Sequence, residues 1–132
     1  MGCIVCDAIG EGLFAVGHEG TELCRTCAAR IARMVLEGDG AIVAEVWLVG
    51  GPIASGAPFT PPTDERDVAT HVDLARAYRE MGLHPDAIAE AAMGLLGPGR
   101  PSDGEAALDV LFDPSIARPG ALAFLAEKLR RN

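Results

Sequence analysis

From position 64 onward, apolar residues recur at helical spacing and group into runs separated by chain breakers. The first covers about Asp64 to Met81, with Val68, Val72, Ala75 and Tyr78 on one face of an expected amphipathic helix. A second starts near Pro85, a residue suited to a first helical turn. It carries Ala87, Ile88, Ala91, Ala92, Leu95 and Leu96 and ends at Gly97-Pro98-Gly99. Ser102-Asp103-Gly104-Glu105 has the form of a capping box and predicts the start of a third helix. There Ala107, Leu108, Leu111 and Phe112 face inward until Asp113-Pro114 breaks the run. The fourth opens at Pro119, turns Leu122, Leu125, Ala126 and Leu129 inward, and closes with Lys128, Arg130 and Arg131. Cations suit that end of a helix.

The first half of the chain has a different pattern. Leu13-Phe14-Ala15-Val16 and Thr21-Glu22-Leu23 flank Gly17-His18-Glu19-Gly20, which predicts two short strands around a turn. After Cys24, the residues Ala28, Ile31, Ala32, Val35 and Leu36 predict a helix, with Gly38 as its stop. Residues 41–49 (AIVAEVWLV) are rich in β-branched side chains and read as a strand that is apolar on both faces. Such a strand needs two covering surfaces, which hints at self-association. Residues 50–63, with Pro52, Pro58, Pro61 and Pro62, read as an extended connector. The expected division is therefore a finger over residues 1–40, an apolar strand and Gly/Pro-rich linker over 41–63, and a helical segment over 64–132.

Composition narrows this picture. The chain has 132 residues, 49% of them apolar and only 5% aromatic, so the expected core is built from Ala, Leu, Val and Ile in closely packed helices. The formal net charge is -8 and Lys128 is the single lysine, which argues against binding driven by neutralised phosphates. No stretch approaches the roughly 20 apolar residues of a bilayer span, and no signal-peptide pattern opens the chain. A cytoplasmic protein is expected.

The cysteines follow the pattern Cys3-x2-Cys6-x17-Cys24-x2-Cys27. Two such pairs are the spacing of a tetrahedral four-cysteine zinc site, because a two-residue gap lets both sulfurs of one turn reach the same ion. The spacer is long enough for a hairpin that brings the pairs together. The second pair lies at a helix start, where the dipole favours thiolate. One structural Zn²⁺ is the expected cofactor, with its four positions filled and none left for chemistry. Two disulfides would need an oxidising compartment, and a redox dithiol would need one such pair in a βαβ setting. A segment of about forty residues cannot bury enough surface to fold alone, so the metal is expected to supply the missing stability.

Cys3-Ile4-Val5-Cys6-Asp7, an apolar strand, a Gly-containing turn and Glu22-Leu23-Cys24-Arg25-Thr26-Cys27 leading into a helix resemble a treble-clef finger. Among these, residues 1–37 most resemble the N-terminal zinc-binding domain of ClpX unfoldases. That resemblance implies zinc on Cys3, Cys6, Cys24 and Cys27, and a domain that dimerises and recruits proteins. It does not imply unfoldase activity, because no Gly-x4-Gly-Lys-[Ser/Thr] motif follows. Leu74-x2-Ala77-Tyr78-x3-Gly82-x4-Ala87-Ile88, followed by Leu95, is similar to a tetratricopeptide (TPR) repeat over residues 68–96. A generic Ala-rich helical hairpin is the alternative. The expected fold is a small zinc-bound treble clef, a β-hairpin plus helix, joined to an all-α, TPR-like helical segment.

No catalytic constellation accompanies this pattern. His18, His71 and His84 lack a metal or triad spacing, and Ser55 and Ser102 lack an activating base. Asp64, Glu65 and Asp67 suit a helix start, and Trp47 suits a core or interface. The expected function is a non-enzymatic interaction or adaptor protein with protein partners, a homodimer among them, and with neither nucleic acid nor membrane as partner. The alternative is a nucleic-acid-binding zinc-finger regulator using Arg25, Arg30 and Arg33 along the finger's helix.

Overall fold

The structure, a computed structural model, describes residues 2–7, 9, 12–16, 21–37, 40–48 and 59–131. A two-stranded antiparallel hairpin comes first: β1 (Phe14–Val16) and β2 (Thr21–Leu23) pair with Phe14 opposite Leu23 and Val16 opposite Thr21. Strand alternation sends Phe14 and Val16 inward and Ala15 outward. The expected turn residues between them, His18 included, lie outside the described residues, as do Gly38 and most of the expected connector over 50–63.

Helix α1 (Arg25–Leu36) follows and buries Cys27, Ala28, Ile31, Ala32, Val35 and Leu36, the stripe its periodicity predicts. The strand expected over residues 41–49 is replaced by a helix, α2 (Gly40–Val46). Its apolar residues satisfy both periods. Val43, Val46 and Trp47 are spaced i, i+3, i+4, and these are the residues buried, with Ala44 and Glu45 left exposed. Only the end of the segment pairs in a strand-like way. Trp47 forms an isolated bridge with Ala117, the Leu48 N–H donates to the Ile116 carbonyl (2.7 Å), and the Arg118 N–H donates to that of Val46 (2.9 Å). The buried face of this segment is thus covered within the chain, so a two-faced apolar strand no longer argues for self-association.

Helices α3 (Glu65–Glu80), α4 (His84–Leu95), α5 (Pro101–Leu111) and α6 (Ala121–Arg130) complete the fold. Asp64 caps α3 through its side chain, which accepts the Asp67 N–H at 2.9 Å. The turn into α4 is built on Gly82 at φ +78°, with the Gly82 N–H on the Arg79 carbonyl and the Leu83 N–H on that of Tyr78. These are the two bonds of a Schellman C-cap. Gly94 near the end of α4 lies against Val72 and Val68 near the start of α3, so the two helices run antiparallel. Two expected starts move. Ser102 does not cap α5, because Pro101 with its fixed φ already occupies the first turn and the helix opens after Arg100. Helix α6 begins at Ala121, two residues past Pro119, after Gly120 at φ +77°.

α4 packs between α1, α3 and α5, β1 lies on α5, and α2 lies on α6. Trp47, Phe14, Leu23, Ile31, Ile88, Leu108, Leu111, Ile116 and Leu125 are the largest fully buried side chains. Ala75, Ala87, Ala91 and Ala92 fill the gaps between helices, as the aromatic-poor composition predicts.

Candidate metal centre

Two backbone features bring the cysteines together. The Cys3–Cys6 turn closes on itself, with the Asp7 N–H donating to the Cys3 carbonyl (2.9 Å) and Asp7 at φ +61°, a left-handed position that short polar side chains tolerate. This turn is fastened to β2 where the Ile4 N–H donates to the Glu22 carbonyl (2.9 Å). Cys24 is the N-cap of α1, in extended geometry, and its sulfur accepts the Cys27 N–H at 3.4 Å. Cys27 then lies in the helix's first turn, facing the core. The hairpin between the pairs sets the distance between turn and helix start.

All four predicted ligands converge. The sulfurs of Cys3, Cys6, Cys24 and Cys27 lie within 4.8 Å of one another, and those of Cys6 and Cys24 are 3.7 Å apart. A tetrahedral ion with metal–sulfur bonds of about 2.3 Å needs sulfurs roughly 3.8 Å apart. The donor set therefore fits a single ion. Cys3 and Cys27 are buried, Cys24 half-buried and Cys6 exposed, so the site lies at the surface with two ligands rooted in the core. Among the described residues no other group of His, Cys, Asp and Glu is arranged to hold a metal.

The electrostatics of the bare thiols show why a cation belongs there. At Cys3 burial disfavours the thiolate, but the N–H groups of Cys24, Cys6 and Val5 aim at its sulfur and together lower its pKa from 9.0 to about 7. At Cys24 burial and the neighbouring sulfurs of Cys6 and Cys3 outweigh the Cys27 N–H, and the pKa rises. At Cys27 burial and all three other sulfurs push it far up. Cys3 is prepared as an anion while Cys24 and Cys27 resist joining it. Four thiolates coexist at this spacing only around a positive ion.

A residue without a local sequence signal helps hold the site. Arg130, from the last turn of α6, donates from Nε to the Val5 carbonyl (3.0 Å) and from a terminal nitrogen to Asp7 (3.5 Å). Periodicity alone assigns Arg130 to the end of a helix, and a contact across 125 positions leaves no mark on local pattern.

The remaining candidates are placed elsewhere. His71 pairs with Glu90 between α3 and α4, and His84 opens α4. Ser102 is exposed in α5, Trp47 is core, and Ser55 lies outside the described residues. No described helix is long and apolar enough to cross a membrane. Searches with the chain find no matching protein-family model, curated protein or solved structure.

Proposed function

We propose that this chain is a cytoplasmic, non-enzymatic protein-binding module built around one structural Zn²⁺. The observation that carries the reading is the convergence of four sulfurs within 4.8 Å. Such a set fills every position of a tetrahedral ion, so the metal holds the fold and offers no vacancy to a substrate. The all-thiolate, tetrahedrally spaced donor set suits a thiophilic ion such as zinc and excludes hard cations such as Mg²⁺ and Ca²⁺. On this reading the turn, hairpin and α1 form a treble clef like that of ClpX-type zinc-binding domains, and α3 with α4 form a single TPR-like pair. An antiparallel pair with close Gly94–Val72 packing supports the second comparison.

The test begins with the metal. Elemental analysis of reduced protein should find one zinc per chain, and loss of any one cysteine should weaken its retention. Absence of bound zinc or another thiophilic metal would remove the proposal. Affinity capture with the zinc-loaded chain should then return proteins. The competing role as a nucleic-acid-binding regulator draws on Arg25, Arg30 and Arg33, which line one groove. The net charge of -8 and the single lysine count against it. Salt-sensitive shifts of DNA or RNA at micromolar protein would favour that role instead.

A further inference from the structure

We propose that the groove between α1 and the C-terminal end of α4 docks a segment of a partner protein that presents a carboxylate beside an aliphatic side chain. This rests on the protein-binding reading above and names the partner's chemistry. The groove encloses about 380 Å³, with Ala29, Leu95 and Leu96 as its apolar floor and Arg25, Arg30 and Arg33 around it. That volume lies in the range of about 300–1,000 Å³ typical of ligand pockets.

Charge makes this groove unlike the rest of the molecule. The chain carries 19 acidic residues against 11 basic ones, yet no carboxylate lines the groove. Among the described residues none of the three arginines forms an ion pair; Arg66, Arg76, Arg100 and Arg118 also lack one, but only this groove gathers three such cations. In so acidic a chain, three cations gathered in one groove with no carboxylate among them mark a place where an external anion gains most.

Two of the arginines are also held in place. Arg25 donates to the Gly99 carbonyl (3.1 Å) and lies over the Phe14 ring, and Arg30 donates to the Leu129 carbonyl (3.2 Å). Each bond takes one donor of a five-donor fork and leaves the others available. The conformational entropy of these side chains is therefore already reduced before a ligand arrives. Arg33 is exposed, with no side-chain partner among the described residues. Its place in the last turn of α1 also suits the helix dipole.

The lining distinguishes a peptide from a nucleic acid. It holds no aromatic ring on which a base could stack, and its leucines offer a polyphosphate nothing. A long polyanion would also meet the acidic remainder of the surface. A short segment stays within the local positive field, because salt screens charges beyond about 8 Å at physiological strength.

The experiment is selection of phage-displayed random peptides on the full-length, zinc-loaded chain. Synthetic versions of the enriched peptides are then measured by fluorescence anisotropy against wild type, Arg33→Gln and Arg76→Gln. The last removes the same charge from an exposed position on α3. Enriched peptides should carry Asp or Glu next to Leu, Ile or Val, bind Arg33→Gln about tenfold more weakly, and bind Arg76→Gln like wild type. Peptides lacking acidic residues, or equally tight on Arg33→Gln, would overturn the groove assignment and leave the protein-binding reading standing. No enrichment would overturn the groove assignment, and tight single-stranded oligonucleotide binding that Arg33→Gln weakens would overturn the protein-binding reading as well.

Discussion

Gly104 of α5 lies against the Phe14 ring of the hairpin. A Cβ there would lie 2.5 Å from Cζ and 2.7 Å from Cε1 of Phe14, a ring that is only 2% exposed. Alanine would otherwise favour the helix by roughly 0.5–1 kcal/mol over glycine. A buried ring has little freedom to retreat, and overpacking of this kind costs about 1–3 kcal/mol. Gly104→Ala should therefore destabilise the protein by about 1–2 kcal/mol in denaturant titration, and a stabilised variant would contradict the packing. Asp113 makes a second residue-scale case. Burial raises its pKa, but bonds from the Ser115 hydroxyl and N–H and the charges of Arg79 and His84 lower it further than burial lifts it. A depressed folded pKa means stability present above the unfolded value and lost as pH falls through the folded one. Asp113→Ala should cost about 1 kcal/mol at pH 7, and the gap between variant and wild type should narrow below about pH 4. A gap that is constant with pH would assign the effect to packing alone.

At the scale of elements, the proposed zinc site divides with the helices the work of holding the first forty residues. The Cys3–Cys6 turn sends Cys3 and Val5 into the core but forms no helix or strand of its own, and it is fastened by backbone bonding to Glu22 and by Arg130. Helix α1 instead buries Ile31, Ala32 and Val35 completely and packs on α4. Removing the metal should release amide protection in residues 3–7 and in the hairpin first, while the second half of α1 keeps part of its protection in hydrogen exchange. Equal loss along the whole of residues 1–37 would show that the metal alone orders the segment. The clustered cysteines and five of the helices follow from spacing and period in the residues themselves. Helix α2 does not. Seven residues are too few for period to separate a strand from a helix, and β-branched content points the wrong way. The choice there falls to Trp47, whose indole N–H reaches the Leu111 carbonyl at 2.8 Å and whose ring packs near Phe112. In the same way Ser102 and Glu105 match a capping box, yet Glu105 accepts the Ala15 N–H at 2.7 Å from the hairpin.

Across the whole molecule, the proposed zinc site sets proton and metal in competition for the same sulfurs. Cys24 and Cys27 have raised pKa values without metal, so at pH 7 they hold protons that binding must displace. Affinity should therefore fall as pH falls, and a chromophoric chelator should strip the ion faster near pH 5.5 than at pH 7. An affinity independent of pH over that range would argue against thiolate ligation. Metal loss should also lower the melting temperature of the helical segment, because Phe14 packs on α5, Arg30 reaches Leu129 and Arg130 reaches Val5. A chelated protein whose helices melt unchanged would show that these contacts carry little energy.

The cysteine spacing, the helix period and the Gly82 turn are properties of neighbours along the chain, so residue types and their spacing were enough to locate them. The state of residues 40–46, the covering of their apolar face and the clasp of Arg130 on the cysteine turn depend on partners as many as 125 positions away. So does the burial of two sulfurs with two left nearer the surface. Such contacts form only when the chain has folded back on itself, because packing energy depends on distance in space and local pattern records only distance along the backbone.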